Sequence, residues 1–438
     1  SMAPVTDPGE FRETIAGMDG RSDRWDWTTV AEYLSSLADT GVAPNVATLV
    51  GHGTVRYEVL GMADRLPEPA ELDRMAALVA DALEEGAVGF STGLVYTPQY
   101  NADTHEVQTL AAELAPHGRP FVAHIRSEGR WLWEAVDEFI DIGAEEEIPL
   151  HVSHIKLGGR TQQGKADRLL GTVEAARERG IDITADQYPY AAGSSPLASL
   201  LPPWVHSDGP EGVLERLRDG GARERIRADI EEWRIDGWEN YGAQAGWENV
   251  TIASVGSGDP AVEGRTVADI AADTDRHPVD VVCDILEREE LEATSVERGM
   301  DMGDVRAIMA HPHVAVATDG LFGGKPHPRT YGTYPRVLGR FVREKNHLRL
   351  EEAVRKMTSL PARAMGLDRK GVLRPGMDAD LVVFDPAVVA ARATFENPRQ
   401  RPVGIEHVLV GGEFVVEDGQ HTGATHGSVI GHDDGERM

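Results

Sequence analysis

Apolar runs in this 438-residue sequence repeatedly end in a side chain that can bind a metal ion or move a proton. His124 ends Phe-Val-Ala-His, His154 ends His-Val-Ser-His, and Asp319 ends Val-Ala-Val-Ala-Thr-Asp. One such residue alone is more often a structural hydrogen-bonding residue or a helix cap. Their repetition favours a shared site, because a parallel barrel gathers its reactive groups at the C-terminal rim of its strands.

Histidine and aspartate without nearby cysteine suit a borderline divalent ion, and zinc is the cofactor that we expect. Such an ion lowers the pKa of bound water to about 7 and polarises a carbonyl group. Asp319 could bind that water, take its proton and pass it to a leaving amine. The residue types therefore predict metal-assisted hydrolysis, with Asp319 as the catalytic acid and base.

Two cationic side chains each follow a strand-end histidine by two positions. Arg126 and Lys156 could hold the carboxylate of a substrate, and arginine would do so with two hydrogen bonds. The alternative is an internal ion pair with Asp186 or Glu128. The sequence leaves both interpretations open.

Two other features resemble a metal-binding or reactive site but are predicted to be structural. His311-Pro-His313 has the spacing of a zinc pair, but it precedes its apolar run and so falls at the opposite end of a barrel. Cys283, the single cysteine, lies on an apolar helical face and is predicted to be inert core. One cysteine also excludes a disulfide within the chain.

Strand-like and helical segments alternate over the first half of the sequence, which predicts βαβ units and a parallel sheet. Five strand-like runs alternate with helical patterns, and three later runs bring the count to eight, enough for a closed barrel. The runs are 46–51, 87–91, 120–124, 149–154, 182–188, 249–255, 293–296 and 314–319. The fold class is therefore α/β, with reactive residues at one rim.

The rest of the chain suggests two additions to this body. Residues 194–250 contain four tryptophans and read either as a lid inserted over the site or as a helical surface excursion. The composition changes at Gly371, and a hairpin through Gly411-Gly412 is predicted beyond it. We expect a barrel at 1–370 carrying the insertion, and a small β-element at 371–431.

The bulk composition limits the class of partner. The formal net charge is −30 and 41% of the residues are apolar, which supports a large core and argues against nucleic acid and anionic membranes. No apolar run is long enough to span a membrane and no signal peptide is recognisable, so we expect a cytoplasmic protein. A small-molecule substrate is the expected partner, and a homo-oligomer stays open.

The sequence resembles the N-acyl-D-amino-acid deacylases, or D-aminoacylases, of the amidohydrolase superfamily. The matching words run in order over nearly the whole chain, so the set is specific although each glycine-rich word is weak. They include Gly89-Phe-Ser-Thr-Gly93-Leu-Val-Tyr96, His124-Ile-Arg126-Ser-Glu128, Ser153-His154-Ile-Lys156, Asp186-Gln-Tyr188-Pro-Tyr190, Thr318-Asp319-Gly320 and Pro326-His-Pro-Arg329.

The resemblance implies a metal-dependent TIM-type (β/α)8 barrel with a small β-sandwich, and hydrolysis of N-acyl-D-amino acids to a carboxylate and a D-amino acid. A family zinc ligand maps onto His154, and the family's acid/base and second-metal ligand maps onto Asp319. With strand-end His124, these are the expected metal residues. The expected substrate-binding residues are Arg126, Lys156, Tyr188, Ser91 and Tyr96.

Other family ligands have no counterpart in the sequence. These are a His-x-His strand and a Gly-Asn-Cys-Gly word that follow an N-terminal sandwich portion; Tyr188 stands where a further family ligand is histidine. We therefore expect an incomplete barrel lacking the family's N-terminal portion, with the run at 249–255 inside an inserted region. Alternatives are an amidohydrolase acting on cyclic amides and a family scaffold that binds little metal.

Overall fold

The computed structural model describes residues 2–7, 9, 11, 25–322 and 325–431. Its strands form a parallel sheet and two smaller antiparallel sheets. In chain order they are β1 (Val50–Gly51), β2 (Phe90–Gly93), β3 (Phe121–His124), β4 (Leu150–Val152), β5 (Ile183–Gln187), β6 (Gly193–Pro196), β7 (Val250–Val255), β8 (Ala293–Glu297), β9 (Val314–Val316), β10 (Leu381–Phe384), β11 (Ile405–Val410), β12 (Glu413–Glu417) and β13 (Gln420–His421).

The parallel sheet has the order β1-β2-β3-β4-β5-β9 in the described part of the chain. Phe90, Phe121, Leu150 and Ile183 lie side by side in register across four of its strands and are all buried. Continuous apolar burial of this kind is typical of a parallel sheet covered on both faces. Since all six strands run in the same direction, the residues that follow their C-terminal ends meet at one rim.

Helices connect these strands, and the predicted alternation is confirmed. The apolar faces of the outer helices pack against the sheet in one large core. The helices are Val30–Thr40, His52–Leu60, Pro69–Glu84, Thr104–Ala111, Leu132–Glu146, Ala166–Glu178, Gly209–Arg218, Gly220–Glu231, Tyr241–Ala245, Val267–Thr274, Pro278–Arg288, Met302–Ala310, Arg329–Arg336, a π-helix at Val337–Glu344, Leu350–Met357 and Ser359–Ala364, with short 3-10 turns between them.

The expectation of eight barrel strands from the run count is wrong. The runs at 249–255 and 293–296 form β7 and β8, which pair antiparallel with each other and with β6 in a separate sheet. This segment has its own core, which includes Trp238 and Cys283. Every residue of β7 is buried, so its apolar run has the appearance of a barrel strand without belonging to the barrel. The α/β class is confirmed, with six parallel strands in the part of the chain that the structure describes.

The C-terminal β-element is a four-stranded antiparallel sheet, β10-β11-β12-β13. The predicted hairpin is present, and Gly411 and Gly412 have φ values of 59° and 89°, which a two-residue turn of this kind requires. Bridges from Val42 to Gly427 and from Val46 to Val429 join this end of the chain to the segment before β1. The domain limits at 1–370 and 371–431 stay predictions. Among the described residues, no helix has the length and apolar character needed to cross a membrane.

Candidate active site

A cavity of about 700 Å³ opens at the C-terminal rim of the parallel sheet. His124, His154 and Asp319 line it, although they come from three different strand ends. Ser195 and Glu297 of the antiparallel sheet line another part of the wall. The inserted region thus helps to enclose the space toward which the strand-end residues converge.

The turns after two strands hold unusual backbone conformations. His154 has φ 39° and Asp319 has φ 46°, a region that residues other than glycine seldom adopt and that is enriched at functional sites. The backbone N–H of His154 donates to Asp186 Oδ1 at 2.6 Å. Asp186 Oδ2 lies 2.9 Å from His151 Nε2, and Asp186 therefore supports the turn and pairs with neither Arg126 nor Lys156.

Three potential metal ligands lie together beside this turn. The ligand atoms of His124, Glu128 and His154 all lie within 4.8 Å of one another. His124 Nε2 is 3.6 Å from Glu128 Oε2, and His154 Nδ1 is 3.0 Å from Glu128 Oε1. The backbone N–H of Glu128 donates to Glu239 of the inserted region at 3.0 Å, so the insertion also helps to position this carboxylate.

The protonation states of these groups suit metal binding. Burial lowers the pKa of His124 to about 3, so its imidazole is neutral. Burial alone would raise the pKa of Glu128, but its interactions with His124, Lys156 and His154 reverse this and hold that pKa well below its usual value. A neutral imidazole and an ionised carboxylate are the forms in which these groups coordinate a cation.

Lys156 lies at the centre of this group. Its ammonium contacts Glu128 Oε1 and lies 2.7 Å from His154 Nδ1. The acceptors are therefore already arranged around a positive charge, and two histidines with one carboxylate are a donor set that zinc accepts. The residues present fit a zinc ion.

Asp319 lies outside that group and is paired with Arg329 instead. Arg329 Nη1 is 2.9 Å from Asp319 Oδ2, and Arg329 is 2% exposed. The guanidinium also lies over the Tyr188 ring, 4.5 Å from its centroid, and its Nη2 is 3.3 Å from the Ser194 carbonyl oxygen. Asp319 as a ligand of a second metal stays a prediction.

The predicted substrate-binding residues other than Arg126 line the cavity. Tyr96 packs edge-on against His124, with ring centroids 5.4 Å apart, and Ser91 and Tyr188 contribute to the same wall. Burial raises the pKa of both tyrosines above the usual value. Both phenols are therefore neutral hydrogen-bond donors at physiological pH.

Arg126 does not reach the cavity, which corrects the expectation that it holds a substrate carboxylate. Its Nε and Nη2 donate to the two carboxylate oxygens of Glu138, each at 2.9 Å, and its Nη1 donates to the Ala102 carbonyl oxygen. The two hydrogen bonds to Glu138 fasten the loop after β3 to the helix Leu132–Glu146. For Lys156, the alternative of an ion pair with Glu128 is the one observed.

Three cavity residues were not predicted as parts of the site. Arg329 had a signal, because it lies in the His-Pro-Arg word of the loop after β9. Glu128 also had one, four residues after His124, but it was interpreted only as an ion-pair partner. Glu297 directly follows the strand-like run at 293–296, which is the same kind of signal, but it was not singled out.

Comparison with known proteins identifies similar chains. A model of the amidohydrolase family matches residues 3–416. The D-aminoacylase of Alcaligenes xylosoxydans xylosoxydans is 34% identical over 401 residues, 91% of this chain and 73% of that protein. The N-acyl-D-glutamate deacylase of the same organism is 36% identical over 414 residues, 94% of this chain and 74% of that protein.

A solved structure extends the similarity to the fold. The N-acyl-D-glutamate deacylase of Bordetella bronchiseptica, in complex with zinc and a phosphonate inhibitor, has a TM-score of 0.81 and 33% identity, and the match covers 98% of this chain and 80% of that one. The range matched by the family model contains all the rim residues described above.

Proposed function

Because this chain belongs to the amidohydrolase family, we propose that it hydrolyses the linear amide bond of N-acyl-D-amino acids, releasing a carboxylate and a free D-amino acid. One observation carries the proposal: His154 and Asp319 face the same cavity although 165 positions separate them in the chain. A histidine on one side and a carboxylate on the other can act on a substrate held between them.

His124, Glu128 and His154 are the residues that would hold zinc. When bound, zinc supplies Lewis acidity toward the acyl carbonyl and makes a water molecule more acidic. Lys156 balances the negative charge of Glu128 within hydrogen-bonding contact. The Lys156 ammonium lies beside both His154 Nδ1 and Glu128 Oε1, so it would have to move if a cation were bound between these two residues.

Asp319 acts as the acid and base. Its carboxylate faces the cavity and is oriented by the 2.9 Å ion pair with Arg329. It takes a proton from the attacking water and gives it to the nitrogen of the leaving amine as the amide bond breaks. The restricted backbone after β9 favours this function, since it fixes the direction of the carboxylate.

Arg329 anchors the carboxylate of the amino acid. It is the only arginine among the described residues that line the cavity, and its Nε is buried without a hydrogen-bond partner. The edge formed by Nε and Nη2 can donate two parallel hydrogen bonds to a carboxylate. Ser91, Tyr96 and Tyr188 provide neutral hydroxyl donors on the surrounding wall.

Turnover with both enantiomers tests this proposal. Purified protein supplied with zinc should release acetate from N-acetyl-D-methionine and not from N-acetyl-L-methionine, and a chelator should abolish the activity until zinc is restored. No turnover together with no bound zinc would instead favour a family scaffold that binds little metal. Turnover of a cyclic amide but not of the linear one would favour the cyclic-amide alternative.

We also propose a cytoplasmic location and a small-molecule substrate without nucleic acid. The single cysteine, Cys283, is buried, and a net charge of −30 disfavours phosphate backbones. We also propose that the chain can form a homo-oligomer. Light scattering coupled to size-exclusion chromatography measures the oligomeric state directly.

A further inference from the structure

A third carboxylate faces the cavity in addition to Glu128 and Asp319. Glu297 ends β8, is 8% exposed and lines the cavity wall. Its Oε1 accepts hydrogen bonds from Ser195 Oγ at 3.0 Å and from Ser295 Oγ. Burial raises the pKa of Glu297, whereas these two hydroxyl donors fix its rotamer and oppose that shift.

The second oxygen of Glu297 points to the space beside the proposed carboxylate anchor. A methyl group on Gly193 would lie 3.7 Å from Glu297 Oε2 and 3.6 Å from the Tyr188 hydroxyl. Gly193 pairs with Glu297 across the two strands, and the next residue, Ser194, contacts Arg329. Glu297, Tyr188 and Arg329 therefore border one compartment, and a side chain there would fill it.

Of the three carboxylates that line the cavity in the described part of the chain, two are paired with a cationic side chain and the third is not. Lys156 pairs with Glu128 and Arg329 pairs with Asp319, and these are the lysine and arginine among the described lining residues. No lysine or arginine of the described residues is within ion-pair distance of Glu297. His206, which also lines the cavity, is neutral because burial lowers its pKa to about 4. Glu297 is left as the carboxylate without a cation of its own.

This arrangement has a consequence for the substrate, because the carboxylate and the side chain of an amino acid share one carbon atom. If Arg329 holds the carboxylate, the side chain begins within a few ångströms of the compartment that Glu297 borders. A second carboxylate there would meet Glu297, and the arginine that borders the compartment, Arg329, is already shared by Asp319 and the first carboxylate. A side chain with N–H donors would instead find an acceptor already fixed by two serines.

We propose that Glu297 makes this enzyme selective for N-acyl-D-amino acids whose side chain donates a hydrogen bond, and against those with an acidic side chain. This inference rests on the proposed function and narrows it. It also sets this chain apart from its relative that is an N-acyl-D-glutamate deacylase, since that substrate carries the acidic group that Glu297 would repel.

The matched substrates N-acetyl-D-glutamine and N-acetyl-D-glutamate test the proposal, because they have nearly the same shape and differ in charge. At about pH 8, where both carboxylates of the glutamate substrate are ionised, wild-type kcat/KM should be at least about tenfold higher for the glutamine substrate. Glu297→Gln keeps the size and the Oε1 acceptor, and should narrow that ratio by about tenfold by improving the glutamate substrate.

Two further variants serve as controls. Glu211→Gln removes the same charge from an exposed position on the helix Gly209–Arg218 and should leave the ratio unchanged. Ser195→Ala keeps the charge of Glu297 and removes one hydroxyl that orients it, so the wild-type preference should weaken without disappearing. The wild-type ratio is informative even if Glu297→Gln does not fold.

The outcomes separate this inference from the proposed function. Turnover of N-acetyl-D-methionine with equal rates for the glutamine and glutamate substrates, or a ratio unchanged in Glu297→Gln, overturns the inference alone. No turnover of any N-acyl-D-amino acid by the zinc-supplied protein overturns the proposed function and the inference together.

Discussion

Strand β9 has histidines before its first residue and an aspartate after its last, and the two ends use such groups differently. At the N-terminal end, His311 Nε2 lies 2.9 Å from Glu174 Oε1. Lys356, fully buried, donates to the carbonyl oxygens of His311 and Val314. His311 and Lys356 thus both contact groups that belong to the fold.

At the C-terminal end, the same residue types face empty space. His124, Glu128 and His154 converge around one ammonium group, and Asp319 faces the cavity beside them. The comparison teaches that histidines near carboxylates do not by themselves mark a site. Whether they form a functional site depends on the direction of the strand, because only at the C-terminal rim do these side chains face a cavity that a substrate can enter.

Among substitutions at the two ends of β9, replacing Asp319 should cause the largest loss of turnover. Asp319→Asn keeps the shape and removes the proton acceptor, so kcat/KM for the best N-acyl-D-amino acid should fall by about a hundred- to ten-thousand-fold. His313→Asn, at the opposite end, should stay within about twofold of wild type. Retention of near-normal turnover by Asp319→Asn would remove it from the mechanism.

Lys356 should produce a pH effect on stability at the N-terminal end. Burial lowers the pKa of Lys356 to about 8, below its value in the unfolded chain. Burying the charged Lys356 therefore destabilises the folded state fully below about pH 8. This destabilisation disappears as the pH rises toward about 10.5, the pKa of lysine in the unfolded chain. The contribution of Lys356 to the free energy of unfolding should rise by up to about 3 kcal/mol over that interval.

Urea unfolding at about pH 8 and about pH 10 measures this contribution by comparing wild type with Lys356→Met, which cannot titrate. The difference in unfolding free energy between the two proteins should shift in favour of wild type at the higher pH. An identical difference at both pH values would show that Lys356 titrates normally despite its burial.

His311→Gln should have the smallest effect. It weakens the contact with Glu174, whose side chain is 44% exposed, so the loss of stability should be about 1 kcal/mol or less. Turnover should not change, whereas His154→Gln at the rim should lose most of it. A loss of activity in His311→Gln comparable to that in His154→Gln would break the distinction between the two ends.

The sequence predicted the alternation of helices and strands because each parallel strand is an apolar run with helical periodicity on both sides. It did not predict the pairing of β7, since a fully buried antiparallel strand and a barrel strand have the same pattern. Sheet membership depends on contacts between residues far apart in the chain, such as Gly193 with Glu297, and no local signal specifies those contacts.

The candidate site was predictable where chemistry and strand position coincide. His124, His154 and Asp319 were found in this way, and the family resemblance that they supported is confirmed. The predicted role of Arg126 in substrate binding was wrong, because a strand-end position does not determine the direction of a long side chain. Its guanidinium instead pairs with Glu138. Arg329 is the first residue of the helix Arg329–Arg336, and the glycine- and proline-rich sequence around it gave no periodicity from which its direction could be deduced.

Zinc content tests the central claim most directly. Mass spectrometry of metals should find about one zinc or more per wild-type chain. Glu128→Gln and His154→Asn should lower zinc to near background, whereas His311→Asn and His313→Asn should bind as much as wild type. Zinc that persists in both rim variants, or that is lost in the variants at the opposite end, would contradict a metal site at the C-terminal rim.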